Sequence, residues 1–186
     1  MEKPEKSFYE LIPIRGFPTK FSRWCCDELK KKPTKEVSLE RRLMGIRKEE
    51  SAKRANRPRI DRYFKKQTLY KPIFNWGEWA IWEYIEKYNL PYCELYDQGF
   101  DRVGCVVCPF ICGRPKVIKK HMDRWPGIYR AFERAMLELW NGKLKGRAIE
   151  NTFEEFLQNW YDAKGVYNTK EGFDIIGGVE SKHWGK

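Results

Sequence analysis

Six cysteines are the residues of this 186-residue chain best suited to chemistry, and four of them come in pairs: Cys25-Cys26 in FSRWCCDELK and Cys105-x-x-Cys108 in GFDRVGCVVCPF. Four thiols converging from two distant segments can hold a soft metal centre. Iron–sulfur clusters take up to four thiolates, and zinc accepts the same donors. Structural zinc sites take a C-x-x-C-like pair from each loop, whereas adjacent cysteines point their side chains apart and chelate one ion poorly. A centre with several iron corners tolerates adjacency better. The leading expectation is a [4Fe–4S] cluster on Cys25, Cys26, Cys105 and Cys108, with zinc as the alternative cofactor.

These thiols need elements to place them. Pro13 and Pro18 interrupt any periodicity before residue 20, which reads as an irregular lead-in. Ser22 is a candidate cap for a short helix through Lys30, ended by Pro33, with Cys25 and Cys26 in its first turn. The partial positive charge at that end favours thiolate over thiol. Residues 41–46, RRLMGI, suit a short strand, followed by the polar loop RKEESAKRANRPR and a second stretch over 67–74. Asn75 and Glu78 have capping-box spacing, and Ile81, Trp82, Ile85 and Tyr88 recur at helical spacing, so a helix is expected from about 76 to 89. Leu90-Pro91-Tyr92 ends it before the second cysteine loop. In the last third, Pro126 suits the first turn of a helix closed by Gly142, with Ile128, Phe132, Ala135, Met136 and Leu139 on one side. Thr152 and Glu155 open another helix, whose Phe153, Phe156, Leu157, Trp160 and Tyr161 read as core. The Gly-rich tail from Gly177 reads as mobile. There is no internal repeat and no low-complexity segment.

Hydrophobic residues make up 41% and aromatics 16%, enough to bury a core and too rich for a disordered chain. No apolar run approaches the roughly 18 residues of a membrane span, and Met1-Glu-Lys-Pro is not a signal peptide. A soluble cytoplasmic protein with no membrane partner is expected; in a reducing compartment its cysteines favour metal or redox chemistry over disulfides. The net charge is +11, and its placement matters. Between Lys30 and Lys71 lie sixteen Lys or Arg and five Asp or Glu, a surplus equal to the whole net charge. Such a segment suits a nucleotide, a phosphosulfate or a nucleic-acid backbone. The bland reading is a solvated basic face beside an acidic partner.

Four strings occur in a telling order: Arg23-Trp24-Cys25-Cys26-x-x-Leu29-Lys30; Met44-Gly45-Ile46-Arg47-Lys48-Glu49-Glu50-Ser51-x-x-Arg54; the Trp79–Ile85 segment with Leu90-Pro91-Tyr92; and Leu95-Tyr96-Asp97-Gln98-Gly99-Phe100 leading to Gly104-Cys105-x-x-Cys108. Over residues 15 to 112 this series resembles the adenylylsulfate and phosphoadenylylsulfate (APS/PAPS) reductase family, including the branch in which a Cys-Cys pair and a later Cys-x-x-Cys hold a [4Fe–4S] cluster. The resemblance implies that Arg47, Lys48, Ser51 and Arg54 receive the substrate's anionic end. Arg offers a planar fork to phosphate or sulfate oxygens and Lys a point charge. The Asp97-Gln98-Gly99 turn is expected to set the backbone before the second cysteine pair.

Two departures qualify what the resemblance implies. The family's nucleotide-binding half carries a Ser-Gly-Gly-x-Asp-Ser-like phosphate loop, and no such loop occurs here: the chain begins where that half would end. Family reductases also carry a nucleophilic cysteine near the C-terminus, whereas no cysteine follows Cys112. Reductase activity is therefore not expected of this chain alone, since the thiolate is the reactive species. A branch of the superfamily that lacks that cysteine takes part in sulfur transfer onto nucleic acid. It implies a rival ligand set, Cys93, Cys105, Cys108 and Cys112; the set containing Cys25 and Cys26 is preferred, because that pair sits in its matching context. Cys93 and Cys112 otherwise read as small buried residues.

His121 and His183 read as exposed or structural, and the carboxylate pairs Glu49-Glu50 and Glu154-Glu155 as solvated surface. The expected fold is α/β, a partial adenine-nucleotide α-hydrolase-like (PAPS reductase-like) sheet followed by a helical C-terminal region. Residues 1–112 are expected to form the Cys-cluster and anion-binding region, and 113–186 a helical extension with a flexible tail. The expected role is an iron–sulfur-binding member of sulfur metabolism or sulfur transfer, part of an oxidoreductase or sulfurtransferase assembly. Its partners would be an adenylylsulfate-like or other anionic nucleotide and a protein, or a second copy, supplying the nucleotide-binding half. The alternative is a metal-stapled basic module that binds DNA or RNA, with Tyr63, Phe64 and Tyr70 stacking on bases.

Overall fold

The structure, a computed structural model, describes residues 3–62 and 67–164. The expectations placed on Tyr63, Phe64, His183 and the tail from Gly177 lie outside the described residues. Along the chain run helices α1 (Phe8–Arg15), α2 (Trp24–Cys26) and α3 (Lys32–Glu36), strand β1 (Arg41–Leu43), helix α4 (Ala52–Ala55), strands β2 (Ile60–Arg62) and β3 (Thr68–Tyr70), and helices α5 (Glu78–Lys87), α6 (Pro115–Arg124), α7 (Pro126–Leu139) and α8 (Phe153–Asp162). The protein is a mixed α/β chain with a small three-stranded sheet and many helices. It divides into two compact units, one formed by residues 1–34 with 104–186 and the other by 35–103.

The first unit is helical. The lead-in expected to be irregular is α1. Ser7 accepts from the Glu10 amide at 3.3 Å, and Glu10 returns the bond to the Ser7 amide at 2.8 Å. This reciprocal cap starts the helix despite Pro13, and the Ser-x-x-Glu spacing was the signal for it. Gly16 stops it with a φ of +84°, a backbone that other residues rarely adopt. Pro126 opens α7 as expected, but Gly142 does not close it; the helix passes into a π turn over Trp140–Leu144 that contains Gly142. Phe132, Ala135, Met136 and Leu139 are buried, together with Leu11, Ile12, Phe17, Phe156 and Trp160. Phe132 lies 4.8 Å from the Trp160 ring and 6.1 Å from Phe8, stacked. The Trp160 indole donates to the Pro18 carbonyl at 2.8 Å, which leaves its polar edge satisfied inside the core. Thr152 caps α8 as expected, accepting from the Glu155 amide at 3.1 Å.

The second unit is built on β3, which pairs parallel with β1 and antiparallel with β2. A parallel pair needs a crossover, and here the polar stretch after β1 supplies it. Its expected loop contains a 3₁₀ turn (Lys48–Glu50) and α4. Leu69 is buried at the centre of the sheet, and Lys71 is fully buried just beyond it. The Lys71 ammonium donates to the Pro58 carbonyl at 2.7 Å and sits 3.4 Å from the Asp61 carboxylate, so its charge is both bonded and paired. Helix α5 falls within the expected span, but its cap is Gly77, with no side-chain bond; the Asn75–Glu78 box does not form.

Candidate functional site

The paired cysteines all lie in the first unit. α2 opens at Arg23 rather than Ser22, whose amide instead donates to Thr19 Oγ1 at 2.8 Å. Trp24 anchors this turn. It is buried, packs 5.8 Å from Phe8, and donates its indole N–H to the Gly16 carbonyl at 3.1 Å. Cys25 and Cys26 follow, both half-buried. Pro33 does not end the element: a π turn over Asp27–Lys31 carries the chain into α3, where Pro33 lies buried.

The second pair is held from the other side. Val107 and Pro109 are buried between Cys105, which is exposed, and Cys112, which is buried; Cys108 is half-buried. The Val106 carbonyl accepts from the Tyr129 hydroxyl at 3.2 Å and meets His121 Nδ1 at 2.9 Å. Two side chains from α6 and α7 thus pin the backbone inside the C-x-x-C loop. His121 is buried, and its role is positional. Tyr129 was missed by sequence reasoning; its place on the core face of α7, one residue after Ile128, was the available hint. The Cys112 thiol points back to the Cys108 carbonyl at 3.8 Å, and the Gly113 amide donates to the Tyr161 carbonyl at 2.8 Å.

The four thiols sense one another. Burial pushes the Cys25 thiol up to about 12, with further rises from Cys26 beside it and from Cys108. The Cys108 thiol is raised, first by burial, then by Cys105 and Cys26. Burial also lifts Cys112 to about 12. The expected helix-end depression of the first pair is therefore overturned for Cys25: in a turn this short, loss of water outweighs the backbone dipole. Lys30 stands among the sulfurs. Its hydrogen bond to Cys105 is the main cause of a raised ammonium pKa, and the charges of Cys105, Cys26 and Cys108 add to it against desolvation. Among the described residues, no three His, Cys, Asp or Glu side chains close on one metal-sized point. In chemistry the donors fit a thiolate-ligated centre: four sulfurs from two segments of one unit, beside one cation. Cys93, of the rival set, is exposed and belongs to the second unit.

The expected anion loop lies in the second unit. Arg47 enters the 3₁₀ turn, Lys48 opens it, and Ser51 caps α4 by accepting from the Arg54 amide at 3.3 Å. The Lys48 amide donates to the Phe74 carbonyl at 2.9 Å, which ties the loop to the segment after β3. Glu49 and Glu50 are not merely solvated. Arg47 pairs with Glu49 and, at 3.9 Å, with Glu50, which also pairs with Arg54. Among the described residues Lys48 forms no ion pair. No described helix is long and apolar enough to cross a membrane.

Residues 1–110 match the phosphoadenosine phosphosulfate reductase domain. The chain is 35% identical over 140 residues to the uncharacterized protein MJ0066 of Methanocaldococcus jannaschii, covering 68% of this chain and 29% of that one. It is 35% identical over 106 residues to the adenosine 5'-phosphosulfate reductase of Neisseria meningitidis serogroup B, covering 55% of this chain and 40% of the relative. With the adenosine 5'-phosphosulfate reductase of Shouchella clausii it shares 43% identity over 68 residues, covering 36% of this chain and 28% of the relative. The chain thus spans well under half the length of each of these relatives.

Proposed function

Because the chain belongs to the phosphoadenosine phosphosulfate reductase domain family, we propose that it is the cluster-binding and anion-handling part of a PAPS-reductase-like oxidoreductase or sulfurtransferase of sulfur metabolism. The observation that carries this reading is that both cysteine pairs belong to one unit, with Cys26, Cys105 and Cys108 near Lys30 and Cys25 beside Cys26. Two relatives named adenosine 5'-phosphosulfate reductase support it. Those four cysteines would hold a [4Fe–4S] cluster, which when bound supplies an electron-carrying, polarisable centre. Loading must release the protons that burial keeps on Cys25 and Cys108. Lys30 then holds a positive charge at the Cys105 sulfur.

Arg47, Lys48, Ser51 and Arg54 take the anionic end of an adenylylsulfate-like substrate. Their loop leaves the C-terminal end of a parallel strand, where open α/β sheets receive ligands. Glu49 and Glu50 occupy the two guanidinium groups, and a sulfate or phosphate competes with them for the same forks. The sheet is read as part of an adenine-nucleotide α-hydrolase-like sheet. The nucleotide phosphate loop and the attacking thiol would come from a further polypeptide segment or partner, and the setting is the reducing cytoplasm. The nucleic-acid module is the less supported reading, since the family match and the relatives named adenosine 5'-phosphosulfate reductase favour a small anionic substrate.

The test is anaerobic purification with metal and acid-labile sulfide analysis and an absorption spectrum. About four irons and four sulfides per chain, lost in Cys105→Ala, are expected. Zinc without sulfide overturns the cluster.

A further inference from the structure

The second unit contains an open surface cavity of about 390 Å³ lined by Glu78, Trp82, Tyr92, Tyr96, Asp97, Gly99, Phe100 and Asp101. Neither the thiol centre nor the anion loop uses it. Four of these residues are aromatic: Trp82, Tyr92, Tyr96 and the buried Phe100. Tyr92 meets Trp82 edge to face, with ring centroids 5.3 Å apart at 87°, and Tyr96 meets the same ring at 5.1 Å and 85°. Trp82 thus stands in edge-to-face contact with both tyrosines, and the face of an aromatic ring is the side that attracts a cation.

Apart from Gly99, the rest of the lining is acidic. Glu78, Asp97 and Asp101 belong to it, and it contains no Lys, Arg or His. Among the described residues none of the three carboxylates forms an ion pair. The Tyr92 hydroxyl donates to Asp97 Oδ1 at 2.8 Å, which fixes one carboxylate against the aromatic wall. The turn around it is closed by backbone bonds from the Tyr96 amide to the Cys93 carbonyl and from the Gly99 amide to the Tyr96 carbonyl, at 3.1 and 2.9 Å. Gly99 takes a φ of +75° there, so the turn depends on a residue without Cβ. In a chain of net charge +11, residues 76–101 carry six Asp or Glu and a single basic residue, Lys87. The local field is opposite in sign to that of the whole chain.

An anion is repelled by such a site, and a neutral apolar ligand leaves its carboxylates unanswered. We propose that this cavity binds a small organic ammonium cation, a quaternary amine or a short alkyl diamine, held by cation–π contact with Trp82, Tyr92 and Tyr96 and by charge from Glu78, Asp97 and Asp101. Its lining includes none of the residues of the proposed cluster or anion loop.

Calorimetric titration of the full chain with choline, with 1,4-diaminobutane and with 3,3-dimethylbutan-1-ol, the neutral isostere of choline, tests this. Saturable binding of at least one cation, about ten-fold tighter than the alcohol, is expected. Asp97→Asn keeps an acceptor for the Tyr92 hydroxyl while removing the charge, and should weaken the cation several-fold; Asp101→Asn should do the same. Trp82→Phe tests the largest ring, and circular dichroism checks that the variant folds. Should it unfold, the two Asn variants still decide. No saturable heat across the millimolar range, equal binding of the alcohol, or full displacement of the cation by equimolar magnesium each overturns the proposal, the last because a plain acidic patch would then suffice.

Discussion

The two units solve the problem of placing functional groups in opposite ways. The first surrounds its cysteines with a continuous core in which Ile12, Phe132 and Met136 have no exposure and Leu139 has 1%. Hydrogen bonds from buried indole and phenol groups tie its loops to its helices. The second unit buries Leu69, Phe74 and Phe100 but leaves Leu43, Ile60, Trp79, Tyr84 and Tyr88 exposed, and α5 has no buried residue. Its order rests on ion pairs, turns and ring contacts. Thiols that must hold a fixed geometry sit on the dense scaffold, whereas the anion loop and the acidic aromatic cavity sit on the lighter one. Local openings with low free energy are expected of the second unit rather than the first.

Core truncation gives the sharpest test of that contrast. Phe132→Ala should cost about 3–5 kcal/mol, and Leu69→Ala about 2–5 kcal/mol. By hydrogen-exchange mass spectrometry, the first should strip protection from residues 8–34 and 104–164 while leaving 35–103 largely intact, and the second should do the reverse. Uniform loss in both variants would show a single cooperative body.

Alkaline pH separates the buried thiols from the exposed ones. Cys25 and Cys112 keep their protons up to about 12 when folded, against 9.0 for an ordinary thiol. The folded state therefore binds more protons than the unfolded state across that window, so these groups favour folding below 9 and lose that contribution as pH climbs toward 12. In reduced, metal-free protein, alkylation at mildly alkaline pH should reach Cys93 and Cys105 first and Cys25 and Cys112 last. Early labelling of Cys112 would contradict its burial.

A smaller effect follows from the pinned carbonyl of Val106. Tyr129→Phe removes one of its two partners and should cost about 1 kcal/mol. Cys105 and Cys108 should then react severalfold faster with an aromatic disulfide reagent, with Cys93 unchanged. The smallest change is expected from Glu50→Gln, which loosens two partly exposed surface ion pairs worth about 0–1 kcal/mol. Sulfate affinity should rise modestly as Arg47 and Arg54 lose a competitor. A fall would mean that Glu50 orients the guanidinium groups rather than occupying them.

Patterns that depend on near neighbours were legible in the sequence. The apolar spacing of α5, the core face of α7, the Thr152 cap and each single cysteine string are set by residues close in sequence. What escaped needed partners from afar or a balance of two forces. Asn75 had the right spacing for a cap, but the chain turns at Gly77. Pro13 argued against a helix that the Ser7–Glu10 cap nonetheless starts. Helix-end charge argued for a reactive Cys25, whereas its burial decides the other way. The pinning of Val106 by His121 and Tyr129 joins residues that share no motif, and the cavity around Trp82 mixes side chains that separately look like core and surface.

The first unit is assembled from two stretches separated by the whole of the second, and this imposes an order in time. As the chain leaves the ribosome, α1 and the Cys25-Cys26 turn emerge without the helix faces of α7 and α8 that bury Ile12, Phe17 and Trp24. Closing that gap requires a long-range encounter, whose entropic cost is met only once the later helices exist. Until then the first cysteine pair remains open to oxidants and to stray metal ions. Any centre shared by the two pairs would consequently have to wait for the later stretch, and a chaperone or scaffold that shields the early thiols would act in that interval.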